Sequence, residues 1–153
     1  MKIALGSDER THLTDMVIEE LKKRSHDLIL FGPLTENDVD VDWPLVSSNA
    51  ARMVATGEAD EAIVFCWTGT GASIAANKVQ GIRAALCHDA ETARGARIWN
   101  HANVLALSLR ATSEALAKEI LDAWFTTPYC EDEWNRQQMQ HLKRLEEQIP
   151  LAD

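Results

Sequence analysis

The stretch Ile63-Val-Phe-Cys-Trp-Thr-Gly-Thr-Gly71, running straight into Ala72-Ser-Ile-Ala-Ala-Asn-Lys78, constrains the fold of this chain more than any other. An apolar run of strand length ends in a cysteine, a glycine-rich turn follows, and an alanine-rich helix starts at once. A buried strand feeding a helix through a tight turn is the unit from which parallel sheets are built. That order places the Cys66 thiol at the carboxyl end of the strand. It also aims the backbone N–H groups around Gly69 to Ser73 at the same spot. Open parallel sheets take ligands outside the carboxyl ends of their strands, and the first turn of a helix favours negative charge. Amides facing a thiol stabilise its thiolate, the form that abstracts protons. The same position suits a buried structural cysteine, since free cysteine is among the most buried residue types.

The rest of the chain repeats the alternation. Strands are expected at Lys2–Gly6, Asp27–Phe31, Glu61–Cys66, Arg83–Leu86 and Val104–Leu107. Helices are expected from about Leu13 to Arg24, from Trp43-Pro44 to Gly57, from Gly71 to about Val79, and from Ala90 to about Asn100. Leu13, Val17 and Leu21 recur four apart on one face of the first, and proline is well placed in the first turn of the second. A fifth helix is capped by Ser113, with Leu116, Ile120 and Ala123 on its inner face. Five strands alternating with helices predict an α/β fold with one parallel sheet covered on both faces, a three-layer sandwich. The last helix, about 131–148, carries its own stripe of Met139, Leu142, Leu145 and Ile149. It packs on its own domain or, alternatively, on a second subunit.

Composition narrows the function classes. At 153 residues the chain suits one domain, residues 1–153, with a packed core. Its formal charge of −9 argues against nucleic acid, which needs basic surface to neutralise phosphates. No apolar stretch approaches a membrane span, and the apolar run at Met1–Leu5 reads as a first strand, so a cytoplasmic location is expected. Cys66, Cys87 and Cys130 are odd in number, far apart and without metal-ligand spacing. No cofactor or metal is expected.

Taken together, Gly6-Ser-Asp8, the Cys66 loop, Ser73-Ile-Ala-Ala-Asn-Lys-Val79 and Gly81-Ile-Arg-Ala-Ala-Leu-Cys-His-Asp89 resemble the ribose-5-phosphate isomerase B and galactose-6-phosphate isomerase family. Asn103-Val-Leu105 and Leu121-Asp-Ala-Trp124 also fit, and the match runs from Met1 to about Tyr129. The resemblance implies a Rossmann-like five-stranded fold and a homodimer with active sites between subunits. It also implies metal-free interconversion of an aldose and a ketose through an enediolate. A base must then shuttle a proton between neighbouring carbons, and donors must hold the developing oxyanion. By resemblance, Cys66 is the base, and Thr68 with the N–H groups of Gly69, Thr70, Gly71 and Ala72 forms the anion hole. Asn100 then touches the enediolate oxygens, Asp8 contacts sugar hydroxyls, and Arg110 contacts phosphate.

The chain departs from the family pattern at the site itself. Glu9 follows Asp8 where the family has histidine, and Trp67 follows Cys66 where it has glycine. In Arg97-Ile-Trp-Asn100, Trp99 stands where the family carries the histidine thought to open the sugar ring. Indole N–H only donates and does not titrate. The family's carboxyl-terminal phosphate clamp, Arg-His-x-x-Arg, falls on Glu133, Trp134 and Gln137, with Arg136 one place off. Arg10 is a further anion candidate. Trp43 stands where tyrosine is frequent. Each tryptophan alone suits packing, whereas Trp43, Trp67, Trp99 and Trp134 together suggest an aromatic-lined sugar pocket. His101 and His12 are the nearby histidines that could replace the missing ones, and surface exposure is expected of both. His88 is expected to hydrogen-bond locally.

The expected function is therefore aldose–ketose isomerisation of an altered substrate: open-chain, short or unphosphorylated, with a tetrose or tetrulose derivative qualifying. The alternatives are a conventional ribose-5-phosphate or galactose-6-phosphate isomerase and a sugar-binding homologue without catalysis. A dinucleotide enzyme is disfavoured, because Gly69-Thr-Gly71 lacks the third glycine of that fingerprint.

Overall fold

The computed structural model describes residues 1–148. Five strands alternate with helices: β1 (Lys2–Ser7), α1 (His12–Lys23), β2 (Asp27–Phe31), α2 (Trp43–Ala55), β3 (Glu61–Cys66), α3 (Thr70–Ala76), β4 (Ala84–Leu86), α4 (Ala90–Asn100), β5 (Val104–Ser108), α5 (Glu114–Thr126) and α6 (Glu133–Glu146). All strand pairs are parallel, in the order β2-β1-β3-β5-β4. The expected α/β architecture and sheet are those observed. Ile149, assigned from sequence to the last apolar stripe, lies outside the described residues.

Period-two alternation in the central strands sends side chains to two cores. Ile3, Leu5, Ile63, Phe65, Leu105 and Leu107 meet α1, α4 and α5 on one face. Ala4, Val64, Cys66, Val104 and Ala106 meet Ala50 and Ala51 of α2 and Ala72 and Ala76 of α3 on the other. The second face is built from alanine, so α2 and α3 sit close to the sheet. Cys66 belongs to this close-packed face.

The short edge strand β4 begins at Ala84 and ends at Leu86. Its outer edge is closed by a side chain instead of a strand. Asn77 Oδ1 accepts from Ala84 N–H at 2.8 Å, and Asn77 Nδ2 donates to Ala84 C=O at 2.8 Å. Asn103 likewise accepts from Arg83 N–H at 2.8 Å and donates to Gly81 C=O at 3.0 Å. The Asn77 amide thus covers backbone groups that an unpaired strand edge would expose, and Asn103 ties the start of β4 to the start of β5.

The strand order also fixes where a ligand fits. The chain leaves β1 for β2 on one side and returns to β3 on the other, so the crevice between the carboxyl ends of β1 and β3 is a topological switch point. Ser7 pairs with Phe65 in register, which sets Asp8 and Cys66 at the mouth of that crevice.

Candidate active site

Cys66 ends β3 almost fully buried, and Ala72 N–H points at its Sγ at 3.4 Å. Its own carbonyl accepts from Gly69 N–H at 3.2 Å and from Leu109 N–H at 3.0 Å, which locks the loop to the end of β5. Gly69 takes φ 76°, and a Cβ there would lie 2.5 Å from Leu86 Cδ1 and 2.9 Å from the Leu107 carbonyl carbon. Glycine is therefore required both by conformation and by space. The turn lets α3 begin at Thr70, one residue before the expected start, with Ala72 N–H facing the thiol.

The hydroxyls of Thr68 and Thr70 sit 2.7 Å apart above this loop. Thr68 also lines a cavity of about 560 Å³ with Cys87, His88, Ser108, Arg110 and Thr112. Arg110 is tied to the loop by its backbone, since its N–H donates to Trp67 C=O at 3.0 Å. Ser108, unremarked in the sequence, donates through Oγ to the same carbonyl at 2.9 Å. Its position was readable only as the residue in register with Cys66 on the neighbouring strand. Asp8 Oδ1 is buried without a hydrogen-bond partner among the described residues, and desolvation, with Glu9 nearby, pushes its carboxyl above the usual range. Trp43 lies flat against Gly71, where an added Cβ would be 3.0 Å from the indole. Trp67, the residue after Cys66, is exposed. Arg10 is turned away into an ion pair with Asp15 at 2.8 Å, and Glu9 is exposed.

Asn100 is elsewhere. It is the last residue of α4, at the amino edge of the sheet. Two residues on, Ala102 C=O is held by Arg97 at 2.8 Å, and Arg97 is bound at 2.8 Å to Glu61, the first residue of β3. Cys66 lies five residues farther along that strand, which is about 16 Å at the rise of an extended chain. Trp99, Trp134, Asn100 and His141 line a separate cavity of about 400 Å³ between α4 and α6. The four tryptophans therefore do not form one pocket within a chain. They divide into a pair at each edge of the sheet.

The amino-edge platform is braced from beneath. Trp124 Nε1 donates to Glu61 at 2.5 Å, and the Arg97 guanidinium lies 4.9 Å from the Trp124 ring and 4.4 Å from the Tyr129 ring. Burial raises the Glu61 carboxyl despite the arginine beside it. His101, expected at the surface, is buried. It adopts φ 46°, stacks on Tyr129 at 4.7 Å, and its Nε2–H donates to Cys130 C=O at 2.8 Å. The left-handed turn at the end of α4 folds the ring inward. His12 is exposed as expected and pairs with Glu114 at 2.7 Å, while His88 pairs with the adjacent Asp89 at 3.3 Å.

The clamp positions on α6 carry no free cation aimed at the cavity. Arg136 bonds Glu133 at 3.5 Å, one turn along the helix surface. Along the helix, Leu142 and Leu145 stay exposed, so the expected apolar stripe is only partly covered by α4. His141 is the residue that sequence reasoning passed over. Its only sequence signal was a seven-residue spacing from Trp134, two turns along the same face.

The family profile described as Ribose/Galactose Isomerase matches residues 3–144. Ribose-5-phosphate isomerase B of Escherichia coli is 40% identical, over 84% of this chain and 85% of that protein. D-erythrulose-4-phosphate isomerase of Pectobacterium atrosepticum is 36% identical, over 84% of this chain and 85% of its own length. A solved structure of Clostridium thermocellum ribose-5-phosphate isomerase B aligns with a TM-score of 0.88 at 38% identity, covering 97% of this chain and 99% of that one.

Proposed function

The chain belongs to the ribose/galactose isomerase family of aldose–ketose isomerases, and from that premise we propose that it isomerises an open-chain sugar with Cys66 as the base. The observation that carries the assignment is the Cys66 thiol at the switch-point crevice with Ala72 N–H 3.4 Å from its sulfur. The thiolate removes the proton from the carbon beside the substrate carbonyl and returns it to the neighbouring carbon. The amides of Thr70 and Gly71, with the Thr68 hydroxyl, hold the enediolate oxygen while its charge develops. Of the other two amides the sequence offered for this role, Gly69 N–H is spent on Cys66 C=O and Ala72 N–H on the thiol. Asp8 Oδ1, buried and unpartnered, takes a sugar hydroxyl.

The site is completed by a second copy. Asn100 cannot reach Cys66 within its own chain, and the exposed Leu142 and Leu145 on α6 supply an apolar face for that copy to cover. A homodimer therefore brings Asn100, Trp99 and Trp134 of one protomer over the Cys66 loop of the other.

The substrate differs from a ring-forming sugar phosphate held by an arginine clamp. Trp99 cannot move a proton to a ring oxygen, and Glu133 and its ion pair with Arg136 occupy the clamp positions. A four-carbon ketose closes no five-membered ring, so it needs no ring-opening group. D-erythrulose-4-phosphate isomerase, a relative, is named for such a substrate. Arg110 beside Thr68 remains available to an anionic group.

The test is solvent-deuterium incorporation at the substrate carbon. The probes are erythrulose, erythrulose 4-phosphate, ribulose and ribulose 5-phosphate. The wild-type protein should favour the four-carbon probes. Cys66→Ala should lose about 10²–10⁴-fold in exchange with its circular dichroism unchanged. Undiminished exchange in that variant would remove Cys66 from the base role, and a strong preference for ribulose 5-phosphate would overturn the altered substrate.

A further inference from the structure

Every aldose–ketose isomerisation moves two protons. One passes between carbons, from C2 to C1 in the aldose-to-ketose direction, and Cys66 carries it. The other passes between oxygens, from the C2 hydroxyl to the oxygen on C1. Asp8 is placed against a sugar hydroxyl at the Cys66 edge, and no group assigned so far on the Asn100 side can carry it. Asn100 donates and accepts but does not titrate, and neither does Trp99. His101 is sealed under Tyr129 with its Nε2–H committed to Cys130 C=O, and His12 is engaged with Glu114 on the outer surface.

We propose that His141 is the acid–base that moves the oxygen proton, acting beside Asn100 over the Cys66 loop of a second copy. The proposal rests on the isomerase reading and on the shared site described above. His141 projects from α6 into the cavity it shares with Asn100, Trp99 and Trp134, and it is the one titratable side chain lining that cavity among the described residues. It is half-buried, which leaves it reachable by substrate. Trp99, Trp134, Met139, Leu142 and Leu145 make the wall mostly apolar, and His141 stands in it with the amides of Asn100 and Gln138. Trp99 itself is held down over Gly95, where a Cβ would come within 2.8 Å of the ring, so the wall has a fixed position.

The proton balance closes without any further reactant. Once Cys66 has removed the C2 proton and the enediolate exists, neutral imidazole takes the proton from its C2 hydroxyl and the imidazolium returns it to the oxygen on C1, before Cys66 reprotonates C1. Product formation leaves both side chains in their starting states. The charges around the ring are few. On α4, Arg94 pairs with Glu91 and Arg97 with Glu61, so neither faces the cavity. On α6, Arg144 lies one turn on and Gln138 one turn back, and Glu146 is engaged with Gly81 N–H. Across the completed site stand Asp8, Glu9 and the Cys66 thiol of the other copy.

The experiment separates the two protons. In deuterated water, with erythrulose and erythrulose 4-phosphate as probes, wild-type protein should show exchange and conversion in a constant ratio. His141→Gln, which keeps a helix-forming side chain, should lower kcat for conversion about 10²-fold while KM changes less than about twofold. Carbon-bound exchange should fall far less, so exchange outruns conversion. The pH profile of conversion should lose the limb contributed by imidazole, and added imidazole should restore part of the rate. His141→Asn should behave in the same way, which guards against a local effect of glutamine. An unaltered kcat, or equal losses of exchange and conversion, would overturn the proposal. A wild-type protein that exchanges no probe would overturn the isomerase reading beneath it, which is a different result from an active protein with an indifferent His141.

Discussion

The two edges of this sheet are built for different work. At the carboxyl edge, a thiol, two threonine hydroxyls and a row of amides converge on one crevice, and a glycine that tolerates no Cβ keeps the loop in shape. At the amino edge, a buried ion pair and stacked aromatic rings support a platform whose upper surface carries Asn100 and two exposed tryptophans. The first edge holds reactive groups in place through backbone geometry. The second holds Asn100 and two tryptophans in place through side chains buried beneath them. Neither edge gathers all the candidate site residues, and about 16 Å of strand separates the two in one chain.

That contrast predicts different symptoms when each edge is damaged. Arg97→Met removes the guanidinium that holds Glu61 and the Ala102 carbonyl, and it leaves a buried carboxylate with only the Trp124 indole as partner. Breaking a buried pair in this way should cost about 3–5 kcal/mol of stability, measured by urea unfolding. Stability unchanged within about 1 kcal/mol would mean that the platform does not depend on the pair. At the other edge, Thr68→Val should leave the unfolding midpoint alone and raise the catalytic barrier by about 2–4 kcal/mol, provided its hydroxyl meets the oxyanion. A variant with normal kcat would take Thr68 out of the anion hole.

A smaller effect separates the edges by pH. Burial, followed by the charge of Asp89, pushes the Cys87 thiol at the carboxyl edge up to about 12 from 9.0. Its folded value lies above its unfolded one, so its contribution is complete below pH 9.0 and is lost as pH rises toward about 12. Burial raises Glu61 at the amino edge in the same direction, so its contribution is lost at lower pH, as the solution passes through its raised carboxylate range. Thermal unfolding followed from pH 8 to about 10.5 should show a modest alkaline decline. Cys87→Ala should flatten that decline. A decline that persists in the variant would assign it to another group, and the raised Tyr129 hydroxyl would be the first to examine.

Local order made much of the carboxyl edge legible in the sequence. The run from Ile63 to Lys78 is contiguous, so strand, turn and helix follow from neighbouring residues, and the thiol lands where the pattern puts it. The amino edge depends on distant pairs. His101 reads as a surface residue because nothing near it in the chain announces Tyr129, 28 residues later, onto which a left-handed turn folds it. His141 went unnoticed because its cavity exists only where α6 crosses α4. Asn100, placed in the site by resemblance, does not meet Cys66 within one chain, since its helix ends at the opposite edge. Four tryptophans read as one pocket for the same reason. Spacing along a chain says which residues share a face of one element, and it is silent on which edge of the sheet, or which copy, that face meets.

The most direct test of a site shared between copies is complementation. Cys66→Ala and Asn100→Ala, each purified alone, should both be nearly inactive in conversion. Mixed in equal amounts and allowed to exchange subunits, they form dimers in which one site has an intact Cys66 from one chain and an intact Asn100 from the other, while the second site has neither. Random pairing makes half of the dimers mixed, so the mixture should recover about a quarter of wild-type activity. Activity that stays at the sum of the two separate variants, although subunit exchange is complete by mass spectrometry, would show that each chain works alone and would contradict the account.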